Sequence, residues 1–99
     1  MSRYYIGMKV RTSYGTGPYK IVSVSEECTC PSFVNKLNLR ENAPKSAPHF
    51  HLVCKSISEN GDRGNFYLNG YDNNLHSVWS NDYLIDLDEV TPTILALLL

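Results

Sequence analysis

The residues best suited to chemistry are crowded into one stretch, CTCPSFVNKLNLRENAPKSAPHFHLVC, from Cys28 to Cys54. It holds all three cysteines and two of the three histidines. Cys28 and Cys30 form a C-x-C pair and His49 and His51 an H-x-H pair, with 18 residues between the pairs (49 − 30 − 1). Two thiolates and two imidazoles make a tetrahedral donor set that suits zinc. If a strand ending near Ser25 and one beginning near Phe50 are antiparallel neighbours, the mouth of the loop between them sets the two pairs across from each other. The expected cofactor is then a structural zinc, which contributes folding energy directly. Side chains more than about 7 Å apart could not share an ion whose bonds are near 2 Å. Common zinc modules place two to four residues between paired cysteines, so other readings stay open. In one, Cys28 and Cys30 are plain loop residues and both histidines sit on a solvent-facing strand. In another, Cys54 enters a disulfide.

Other constellations are weaker. A Cys/His nucleophile needs a base and an orienting third group, and no local signature supplies either. GTGPYK lacks the Gly-Lys-Ser/Thr ending and following helix of a phosphate loop. Asp86 and Asp88 share a strand face in an acidic terminal segment and do not resemble a catalytic pair. The expected function is therefore not enzymatic.

A chain of 99 residues is one domain, 1–99, able to bury roughly 65% of its unfolded surface. Its 42% hydrophobic and 19% charged residues are those of a globular protein. The net charge of −1 gives no overall pull towards nucleic acid or anionic membrane. Residues 1–55 carry eight basic and three acidic side chains, residues 56–99 one basic and seven acidic. Basic and acidic strands neutralising each other, or a bipolar surface, would account for the split. The opening MSRYYIGMKV has no apolar core of signal-peptide length. The apolar run Ile94–Leu99 is too short to cross a bilayer, so no membrane partner is expected. A reducing bacterial cytoplasm is the expected location, favouring thiols or metal ligands over disulfides.

The elements that would position the cluster read as short strands. Met8, Val10 and Thr12 alternate with Lys9 and Arg11, SYGTGP reverses the chain, and YKIVSVS is a second strand. An irregular excursion over 26–48 follows. Within it Phe33, Val34 and Leu37 could share one side of a helical turn or two, and NAPKSAP excludes a strand or helix interior. In HFHLVCKSI parity sends Phe50, Leu52 and Cys54 to the core and His49, His51, Val53 and Lys55 away from it. Asn60-Gly61 marks a hairpin connection. NFYLNGY returns and ends at Asn69-Gly70, LHSVWS reads as a further strand, and the last strand carries Ile85 and Leu87 inward. The 91–99 tail is expected to fold back over an open end, or to associate copies through residues 94–99.

A short strand, a Gly-rich turn and a second β-branched strand resemble the start of SH3-like barrels, KOW-type variants included. The expected fold is all-β, a small SH3-like barrel of five to six strands with a long irregular insertion between strands 2 and 3. That resemblance puts Tyr14, Tyr71, Trp79 and Tyr83 where such barrels gather aromatics to grip an extended peptide. The alternative makes Trp79 a core residue and the tyrosines strand-edge packers. A protein or peptide is thus the expected partner. Nucleic acid is the rival, through a basic face of Lys9, Arg11, Lys20, Lys36 and Lys55. YGTGPYKIVSV, CTCP, PHFHLVC, YLNGYDNN and SVWSNDYL, spread over residues 7–87, resemble uncharacterised small proteins of bacterial mobile elements, such as phage and integron gene cassettes. This resemblance implies a cytoplasmic accessory protein.

Overall fold

The computed structural model describes residues 2–57 and 64–88. Five strands form one antiparallel sheet: β1 (Lys9–Thr12), β2 (Tyr19–Val24), β3 (Phe50–Ser56), β4 (Phe66–Tyr71) and β5 (Leu84–Asp86). Their order is β4-β3-β2-β1-β5, so the last strand returns to pair with the first. The protein is all-β and barrel-like, but the sheet is not closed. Residues 75–83 lace its open side through two isolated bridges, Tyr71 with Ser77 and His76 with Tyr83. LHSVWS is therefore not a sixth strand. Asp72 turns the chain there, its carboxylate accepting from the Asn74 and His76 amides, and Leu75 adopts a positive φ of 67°.

The expected alternation is present in β1, where Val10 and Thr12 are buried and Lys9 and Arg11 exposed. Tyr19 and Ile21 of β2, Phe50, Leu52 and Cys54 of β3, Leu68 and Tyr71 of β4, with Tyr4 and Met8, complete the core. Each fully buried side chain of this size contributes roughly 1.5–3 kcal/mol. In β5 the inward residue is Leu84, 2% exposed, whereas Ile85 and Leu87 are half-buried. Register decides this: Leu84 faces Thr12, which lies on the core side of β1.

Between β2 and β3 the excursion is ordered around one short helix, α1 (Phe33–Leu39), and a 3-10 turn (Arg40–Asn42). Pro31 precedes Ser32, whose Oγ caps the helix by accepting from the Asn35 amide. The helix buries none of its residues. Seven residues are too few for a helix to be stable alone in water. Its position must come from what holds the excursion's base. The Asn60-Gly61 turn and the 91–99 tail lie outside the described residues.

Candidate metal centre

The base of the excursion is zipped by backbone. The Cys28 amide donates to the His49 carbonyl at 2.9 Å and the His49 amide donates back to the Cys28 carbonyl at 2.9 Å. Ser25 continues the pairing, its amide on the His51 carbonyl and its Oγ accepting from the His51 amide. Two residues farther along each strand the C-x-C and H-x-H patterns repeat on the same side, which brings all four side chains together.

Their ligand atoms all lie within 4.8 Å of one another. The sulfurs of Cys28 and Cys30 are 3.7 Å apart. His49 Nε2 is 3.3 Å from Cys28 Sγ and 3.2 Å from Cys30 Sγ. His51 Nε2 is 3.1 Å from Cys28 Sγ and 3.3 Å from Cys30 Sγ. A tetrahedral zinc with bonds of 2.3 Å to sulfur and 2.0–2.1 Å to nitrogen requires edges of about 3.8 Å between sulfurs and about 3.6 Å between sulfur and nitrogen. Five of the six edges agree with these values to within about half an ångström.

Both imidazoles are oriented from behind. His49 donates from Nδ1 to the Ala47 carbonyl at 2.7 Å, and His51 from Nδ1 to Asn69 Oδ1 at 2.9 Å. Each ring therefore turns a lone pair on Nε2 towards the sulfurs, the arrangement that fixes tautomer and direction in metal-ligating histidines. Burial first, and then the neighbouring Cys28 thiol, hold the Cys30 thiol above its ordinary pKa, while Lys36 acts the other way. Two sulfurs this close resist joint ionisation unless a cation shares them, and a divalent metal supplies that charge. No protein-family model matches the chain, and neither a curated protein nor a solved structure is similar to it. The reading of this centre rests on its geometry.

His49 faces away from the core, as its parity requires, and is nevertheless fully buried. The cover is Trp79, whose ring meets the His49 ring at 4.8 Å and the His51 ring at 6.3 Å. Its Nε1 donates to Ser46 Oγ at 2.6 Å, tying it to the excursion. Cys54 stays in the core, fully buried, its thiol pushed up to about 11 by burial. Tyr71 is buried and its side chain hydrogen-bonds with that of Tyr14, which is exposed. Tyr83 is exposed and packs on His76 at 5.9 Å.

Asn69, Gly70 and Ser46 complete the centre and were not anticipated. Asn69-Gly70 does not end the strand: the register shifts between Phe50 and His51, and Gly70, with a φ of 82°, is the extra residue of a β-bulge. An isolated glycine inside a strand pattern is the signal for such a bulge or a close approach.

Proposed function

We propose that this protein is a non-enzymatic interaction module whose α1 excursion is held by a structural zinc at Cys28, Cys30, His49 and His51. The observation that carries this reading is the convergence of four ligand atoms beneath a helix that buries nothing. Phe33, Val34, Leu37 and Leu39 are 72, 62, 61 and 44% exposed on that short helix. Phe33 and Leu37 are four residues apart and Val34 and Leu37 three, so they share one face. A cleft of about 230 Å³ lies beside it, lined by Phe33, Lys36, Asn69 and Trp79 next to Cys30 and His51. Apolar side chains presented in this way suit a protein or peptide partner, with aromatic anchors in a pocket supplying most of the binding.

Capture from bacterial lysate by zinc-loaded protein, at low and moderate salt, tests the reading. A partner held by the α1 face should survive moderate salt, because apolar contacts are not screened. The double variant Phe33→Ser/Leu37→Ser should release it while retaining zinc and the circular dichroism of the parent. Capture that is indifferent to this variant, or protein that binds no zinc, would remove the proposal.

A further inference from the structure

The sheet face away from the core carries like charges in register. Lys9 of β1 stands directly opposite Lys20 of β2, and Lys20 directly opposite Lys55 of β3. Cross-strand partners share a face, and like charges so placed destabilise a sheet. All three are exposed, and among the described residues no carboxylate forms an ion pair with them. Neighbouring strands lie about 4.8 Å apart, so the row is about 10 Å long. Arg11, also exposed, follows Lys9 by two residues and lies on the same face. Asp86 of β5 pairs with Val10 and so belongs to the opposite face. Beside the row is Tyr67, 65% exposed, which faces Val53 two residues from Lys55.

We propose that this row is a binding site for single-stranded nucleic acid. The ammonium groups of Lys9, Lys20 and Lys55, with the Arg11 guanidinium, take phosphates along the strand, and Tyr67 stacks a base. A phosphate backbone repays the repulsion built into the row, since each neutralised phosphate releases a counterion. An exposed aromatic on the outer face of a sheet reads the face of an unpaired base, which a duplex keeps stacked away from it. The site uses no side chain of α1 and is independent of the protein-binding reading above.

Zinc-loaded full-length protein is titrated into fluorescein-labelled oligothymidine and oligouridine of about 12 nucleotides, within the usual site size of small barrels. Anisotropy is read at about 50 and about 200 mM salt. Four phosphate contacts give a log–log salt slope of about −2.8, hence roughly 50-fold weaker binding at the higher salt. Lys20→Gln should reduce the slope by about 0.7, and Tyr67→Ala should weaken binding about tenfold with the slope unchanged. These side chains are exposed, so the variants keep zinc and fold, which circular dichroism verifies. Tighter binding of one oligonucleotide assigns the site to DNA or to RNA. Absence of binding by folded protein at low salt overturns the proposal, as does a slope indifferent to Lys20→Gln. Equal binding of a polyglutamate peptide or a DNA duplex, with Tyr67→Ala without effect, shows a general polyanion surface and also overturns it.

Discussion

A Cβ added to Gly70 would lie 2.5 Å from Cε3 of Trp79. The glycine of the β4 bulge is thus the floor on which the indole rests, and the indole in turn covers His49. Gly70→Ala must displace Trp79 and also places a side chain at a φ of 82°, a conformation that costs about 1–3 kcal/mol for other residues. The expected outcome is a lower melting temperature, a shifted emission from the single tryptophan and faster loss of zinc to a chelator. Emission and metal-loss kinetics identical to the parent would show that Trp79 does not shield the centre.

Protein purified without a metal-affinity step should contain close to one zinc per chain, and a chelator should lower its melting temperature, because structural zinc binding is folding free energy. Cys30→Ser and His51→Ala should each reduce retained zinc. The strand signal in circular dichroism should survive, since His51 lies on the face of β3 opposite the buried Phe50, Leu52 and Cys54. Metal-free protein that melts alike with and without chelator would end the zinc reading.

Asn69 provides a finer test. Its Oδ1 accepts from His51 Nδ1, and losing such a partner commonly weakens metal binding 10- to 100-fold. Asn69→Ala should show that loss in competition with a chromogenic chelator. Asn69→Asp keeps an acceptor and should retain most of the affinity. Equal affinity in all three proteins would show that the hydrogen bond does not orient the ring.

Cys54 should behave as a buried apolar group. Its folded pKa of about 11 lies above the usual thiol value near 9, so the folded state keeps its proton longer than the unfolded chain does. Its contribution is therefore complete below about pH 9 and is lost as the pH rises towards 11, by a few kcal/mol at most. The tyrosines Tyr4 and Tyr71, also raised chiefly by burial, act in the same direction. Subtracting the alkaline stability profile of Cys54→Ala isolates the thiol. That variant should keep its full zinc content, and iodoacetamide at pH 8 should label Cys28 and Cys30 of chelated protein but spare Cys54. Labelling of Cys54 in folded protein would contradict its burial.

Local pattern was enough to read β1, β2 and β3 in this chain. Alternation in Met8–Thr12 and in Phe50–Cys54 identifies which residues face the core, because the strand period of two is a property of the backbone alone. Residue type and loop topology together also pointed to Cys28, Cys30, His49 and His51, since antiparallel strands bring the two ends of any intervening loop together. Tertiary structure decided the rest. His49 is buried because Trp79, 30 residues later, folds over the outer face, and parity cannot tell whether a face turned from the core is covered. The sequence pattern put Ile85 and Leu87 inward, and only pairing with β1, which sets Leu84 opposite Thr12, chose Leu84 instead. Asn69-Gly70 has the same sequence whether it ends a strand or bulges within one. Only the partner strand, which places Asn69 against His51 and Gly70 under Trp79, separates the two. The sequence offered the lysines of the row as a basic face, but not their register. Lys9, Lys20 and Lys55 are distant in sequence, and strand register alone sets them side by side.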